Sequence, residues 1–99
     1  MRVLIVEDDM VIAGGMVPIV AEAGHELVGL AADRDTAIAL LDAANVHLAL
    51  IDLRLEDGWT GVDVARAAIS NGVTAVFMTA NPRLLPEDLA GASGLIEKP

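Results

Sequence analysis

Three acids in a row, Glu7, Asp8 and Asp9, follow directly on the apolar run Val3 to Val6. A buried strand ordinarily ends in residues such as Gly, Asn or Ser that suit a turn, and adjacent carboxylates repel one another. Folding alone gives no reason for this placement. A second apolar run, Leu48 to Ile51, ends in Asp52, another ends in Thr79, and the only lysine, Lys98, ends the last. Hard divalent cations such as Mg²⁺ take a few carboxylate and carbonyl oxygens and keep water or phosphate oxygens in their other positions. Asp8 and Asp52 could supply two such oxygens, the backbone carbonyl of Arg54 a third, and Glu7 could act through water. A metal-oriented Asp52 suits nucleophilic attack on phosphorus, giving an acyl phosphate. The Thr79 hydroxyl fits a phosphoryl oxygen, and Lys98 adds a compact point charge for phosphate and carboxylate. Phosphoryl transfer needs mainly positioning and charge neutralisation, and this set offers both.

Taken singly, each residue has an ordinary use. A strand-end acid caps a loop, threonine is a good β-former, and a terminal lysine is solvated. The specific signal is that distant parts of the chain bring one set of complementary groups to strand ends. Apolar runs Val3–Val6, Leu27–Ala31, Val46–Ile51, Thr74–Met78 and Gly94–Ile96 alternate with segments of helical period. Four of them show little polar alternation, as parallel strands covered on both faces do. Asp33 to Ala44 reads as a helix that Asp33 caps, with Ala37, Ile38, Leu40 and Leu41 as its apolar stripe. Gly61 to Ser70 reads as another, with Val62, Ala65, Ala68 and Ile69 on one face and Asn71-Gly72 as its stop. Met10 to Ala23 is a third, but Pro18 inside it predicts a kink near Gly14-Gly15 or a shortened helix. After Thr79 the prolines and glycines leave room for one short helix, near 86–90. The pattern predicts an α/β fold, a flavodoxin-like, doubly wound, five-stranded parallel sheet in the order 2-1-3-4-5. In such sheets ligands sit beyond the carboxyl ends of the strands, where Glu7, Asp8, Asp52, Thr79 and Lys98 all fall.

Composition narrows the function further. The 99 residues predict one domain over 1–99, and a hydrophobic fraction of 55% excludes disorder. No apolar run approaches the roughly 20 residues of a membrane span, and no signal peptide precedes the acids, so a cytoplasmic location is expected. A formal charge of −9, with five scattered arginines, argues against nucleic-acid and anionic-membrane binding. With no cysteine, thiol chemistry is out. His25 and His47 lie at strand starts, the end opposite the acids, and are expected to be structural. Trp59 is expected to pack in the loop before the Gly61 helix, near the pocket.

These residues resemble the receiver domains of two-component response regulators (CheY-like proteins). The resemblance covers the whole chain. It rests on Leu4-Ile5-Val6-Glu7-Asp8-Asp9, on Leu50-Ile51-Asp52-Leu53-Arg54-Leu55 with Asp57-Gly58 and Gly61, on Phe77-Met78-Thr79-Ala80, and on Glu97-Lys98-Pro99. It implies that Asp52 is the phosphoacceptor, Glu7 and Asp8 the acid pair with Asp8 a direct Mg²⁺ ligand, Thr79 the switch hydroxyl and Lys98 the phosphate-pairing lysine. Lys98-Pro99 resembles the family's cis-proline step, and Asp9 is left as a helix cap. The implied function is a phosphorelay signalling receiver, a phosphoprotein rather than a turnover enzyme. A histidine kinase or histidine phosphotransfer protein would donate the phosphoryl group, and a downstream protein target would read it; a homodimer is left open. The sequence departs from the family at Leu95, where a switch aromatic is usual, in the short Thr79–Lys98 segment, and in ending before a fifth helix. The last two point to a subgroup with a shortened fourth helix and to a C-terminal helix missing or trimmed. Leu95 and the cramped segment motivate an alternative, a phosphorylation-independent pseudo-receiver used as an interaction module. A phosphatase with an aspartyl nucleophile is disfavoured, because Arg54 stands where such enzymes commonly carry a second acid.

Overall fold

The computed structural model describes residues 1–79 and 91–97, with the backbone alone at 79 and 95–97. Five strands, β1 (Arg2–Val6), β2 (Glu26–Ala31), β3 (Leu48–Asp52), β4 (Thr74–Thr79) and β5 (Gly94–Glu97), form one sheet in the order β2-β1-β3-β4-β5. Every pairing is parallel, and β1 sits between β2 and β3 with Val6 opposite both Ala31 and Ile51. Three helices, α1 (Met10–Glu22), α2 (Arg34–Ala43) and α3 (Gly61–Ser70), connect the first four strands. The doubly wound sheet expected from the sequence is therefore the observed one.

Period-2 alternation in the strands divides the core between two faces. Leu4 and Val6 of β1, Ala49 and Ile51 of β3 and Phe77 of β4 pack with Ala37 and Leu41 of α2 and Val64, Ala65 and Ala68 of α3. Val3 and Ile5 of β1 turn the other way, toward Ala13 and Val20 of α1. Each fully buried Val, Leu or Ile side chain adds roughly 1.5–3 kcal/mol to the folded state. β1 is covered on both faces along Val3–Val6, so its apolar run is continuous. On the α1 face, Leu48 and Leu50 of β3 are only partly buried. Among the described residues, one helix lies on that face and two on the other.

Helix starts follow their caps. The Asp9 carboxylate accepts from the backbone N–H of Val11 and of Ile12, and Asp33 accepts from that of Thr36. α1 is not shortened at Pro18: it is one helix from Met10 to Glu22 with the proline inside it. Pro18 lies on the exposed side, and the carbonyl its ring meets four residues back belongs to Gly14, also exposed. One expectation needs correcting: α3 buries Gly61, Val64, Ala65 and Ala68, with Val62 packed at the margin of the same core, and Ile69 is not on that face. Starting the face at Gly61 rotates it by one residue, and Ile69 is left exposed. The short helix anticipated near 86–90 lies outside the described residues.

Candidate functional site

The sheet register carries the acids together. Val6 and Ile51 are opposite each other on neighbouring strands, so the next residue of each chain, Glu7 and Asp52, leaves the sheet at the same level. The Glu7 N–H bonds the Ala31 carbonyl at 2.8 Å, which extends the β1–β2 ladder by one rung and fixes Glu7 at the rim. Asp52 is opposite Met78, which places the backbone of Thr79 one step further along the same edge. Carboxylate oxygens of Glu7, Asp8 and Asp52 all lie within 4.8 Å of one another. Glu7 is fully buried, Asp52 half-buried and Asp8 exposed. Two like charges at such a distance repel by about 1 kcal/mol in water and by several-fold more where water is partly excluded. A hard divalent cation reverses the sign of that term, and three oxygen donors of graded exposure fit Mg²⁺, which keeps several waters.

The backbone behind Asp52 is held by an unusually close approach. Leu53 and Leu55 are buried while Arg54 is exposed, so the strand's alternation persists past its last ladder residue. Leu55 and Gly58 then exchange two backbone bonds, of 2.7 and 3.0 Å, across a tight turn in which Gly58 has φ +108°. The Gly61 N–H donates to the Leu53 carbonyl at 3.0 Å, bringing the first turn of α3 against the end of β3. A Cβ on Gly61 would stand 2.1 Å from the Asp52 carbonyl oxygen and 2.7 Å from the Leu53 Cα. Only a glycine allows that contact.

The same loop is tied to its neighbour. The Asp57 carboxylate accepts from the Thr60 hydroxyl and from the Arg34 backbone N–H at the start of α2, and the Glu56 N–H reaches the Ala32 carbonyl. The Thr60 bond, aided by the Arg34 N–H and charge, holds the Asp57 carboxyl below its ordinary value despite some desolvation. Trp59 lies in the loop before α3, as expected, and is 57% exposed. Its ring carries the Arg54 guanidinium, 5.5 Å from the ring centroid. Neither the loop lock at Asp57 nor this stacked pair was anticipated. The glycine at the first position of a helix, where it is a poor helix former, was the one available signal for the close approach.

Of the anticipated site residues, Glu7, Asp8 and Asp52 come together, and Arg54 follows two residues behind Asp52 with its side chain on Trp59. Asp9 stands apart as the α1 cap. His25 and His47 are at the opposite rim: His47 Nδ1 accepts from the Arg2 N–H at 3.0 Å, and His25 Nδ1 lies 3.1 Å from the terminal amine. The Thr79 hydroxyl, the Leu95 side chain, Lys98 and the Lys98-Pro99 step lie outside the described residues.

The family model for the response regulator receiver domain matches residues 3–99. The chain belongs to the response regulator receiver domains. It is 32% identical to the phyllosphere-induced regulator PhyR of Methylorubrum extorquens over 99% of its own length and 38% of that protein's. The chain spans less than half the length of the curated relatives it matches. Among solved structures, the receiver domain of Erythrobacter litoralis PhyR superposes with a TM-score of 0.87 at 34% identity, covering 99% of this chain and 78% of that one. A receiver domain of a Pseudomonas aeruginosa sensor histidine kinase, solved with a magnesium ion in its active-site cleft, gives a TM-score of 0.82 at 26% identity, over 99% of this chain and 84% of that one. Among the described residues, no helix is long and apolar enough to cross a membrane.

Proposed function

We propose that this receiver domain is the phosphoacceptor of a two-component pathway, taking a phosphoryl group onto Asp52. The supporting observation is the convergence of Glu7, Asp8 and Asp52 within 4.8 Å at the ends of adjacent strands. The donor is a phosphohistidine on a histidine kinase or phosphotransfer protein. An Asp52 carboxylate oxygen attacks phosphorus, the P–N bond to the imidazole breaks, and the nitrogen keeps the electron pair, leaving an acyl phosphate. Mg²⁺, held by Asp8, Asp52 and the Arg54 backbone carbonyl with Glu7 acting through water, would neutralise phosphoryl oxygens. Thr79 and Lys98 are assigned to the phosphoryl group, as switch hydroxyl and charge partner. The product is a signalling state, not a released product, so the domain is not a turnover enzyme. It works in the cytoplasm, where the kinase's donor histidine lies, and the phosphorylated rim changes the surface offered to a downstream protein.

Acetyl phosphate with Mg²⁺ is expected to add one phosphate to the protein by intact-mass measurement. Asp52→Asn is expected to remove it. A variant that still labels would move the acceptor elsewhere. A wild type that never labels, but binds its partner as the variant does, would make the domain a constitutive interaction module.

A further inference from the structure

The Arg54–Trp59 pair is the feature of the rim that the phosphoacceptor reading leaves unused. Arg54 is two residues past Asp52, and successive outward positions on an extended chain share a side. Leu53 and Leu55 are buried and Arg54 between them is exposed, so its guanidinium is a solvent-facing cation two residues along the chain from Asp52. A guanidinium so placed is a natural counter-ion for carboxylates, with donors matched to their oxygens. Yet the described ion pairs of arginine are Arg2–Glu26, Arg34–Asp35 and Arg34–Asp63. Arg54 lies over the exposed Trp59 ring instead. An indole left 57% exposed forgoes burial, so packing does not explain a tryptophan here.

We infer that Trp59 is a positioning residue that parks Arg54 over its ring and so keeps the guanidinium from competing with the cation for Glu7, Asp8 and Asp52. The inference rests on the metal-site part of the reading above. The loop geometry supports it: the turn closed by Leu55 and Gly58 brings Trp59 back alongside Arg54, and the Thr60 bond to Asp57 holds the next residue. With the ring removed, Arg54 becomes an internal cation at high effective concentration beside three acids. Mg²⁺ must then displace it.

The test is Mg²⁺ binding by calorimetric titration in a double-mutant cycle on the whole chain. Trp59→Ala is expected to weaken Mg²⁺ binding about two- to fivefold, the fold-change matching an exposed cation–π contact. Trp59→Phe, which keeps a ring, is expected to lose less. In an Arg54→Ala background, removing Trp59 is expected to change the Kd by less than about twofold, because no guanidinium is left to compete. Rescue of this kind is something a merely structural tryptophan would not produce. Equal affinity in wild type and Trp59→Ala overturns the inference, as does a loss that persists without Arg54. A wild type that binds no Mg²⁺ overturns both this inference and the metal site on which it stands.

Discussion

The two rims of the sheet treat charge in opposite ways. At the amino ends of the strands, Arg2 pairs with Glu26, its Nε donates to the Asn45 carbonyl at 2.7 Å, and its backbone N–H reaches His47. Opposite charges and complementary dipoles meet there, and the arrangement binds β1 to β2 and to the segment entering β3. At the carboxyl ends, three acids from two strands are gathered within 4.8 Å. The first rim stabilises the fold in the ordinary way. The second spends stability on a site that a cation completes, and it holds together because the sheet register and a close-packed loop leave the acids nowhere else to go.

The largest expected effect comes from breaking the packing that forces the second rim. Gly61→Ala would drive a methyl group to 2.1 Å from the Asp52 carbonyl oxygen, with backbone on the other side of the contact. Overpacking of this kind typically costs about 1–3 kcal/mol, and contact with backbone rather than a flexible side chain puts it at the upper end. Urea unfolding should show that loss, together with a weakened Mg²⁺ response as β3 and α3 separate. A stable variant with an unchanged response would mean that the α3 approach does not position Asp52.

Next in size is a contrast between the rims themselves. Asp8→Ala removes one of three like charges, so in the absence of Mg²⁺ it is expected to raise the melting temperature slightly. Saturating Mg²⁺ at a hundredfold Kd should stabilise wild type by about 2.7 kcal/mol and the variant far less. Arg2→Ala should do the reverse: lower stability by roughly 0.2–1 kcal/mol, since its pair is largely exposed, and leave the Mg²⁺ increment intact. Thermal unfolding with and without the cation separates the two. An Asp8→Ala protein that loses stability without Mg²⁺ would remove the idea that the acids strain the fold.

How far the sequence disclosed this division depends on what kind of signal each part leaves. Strands such as Val3–Val6 and Thr74–Met78 are near-continuous β-branched or apolar runs, and their order follows from the βαβ rule, so the sheet was readable. Asp9 and Asp33 announced their helices because capping is local chemistry between residues two or three apart. The acid trio was readable because each member ends a strand, and parallel strands in known order bring their ends together. The face of α3 was readable only in part: Ala65 and Ala68 were expected, but Ile69 fits the helical period as well as Val64, and the Gly61 contact with β3 chooses between them. The Arg54–Trp59 pair was also hidden: two residues five apart meet only because the turn at Gly58 folds the loop back.

A smaller effect sharpens the comparison by concerning an acid at the carboxyl rim that is not part of the trio. Asp57 accepts from the Thr60 hydroxyl and the Arg34 N–H, and its carboxyl is held below the ordinary carboxylate value, near 3.9 in an unfolded chain, chiefly by the Thr60 bond. A depressed folded value means that ionised Asp57 favours the folded state. That contribution is complete above the unfolded value and disappears as pH falls through the lower, folded one. Asp57→Asn should therefore be less stable than wild type at neutral pH, and the gap should narrow on acidification through the carboxylate range while both proteins remain folded. Urea midpoints from pH 7 downward measure it. A gap that stays constant would mean that the Asp57 bonds act through shape and not through charge.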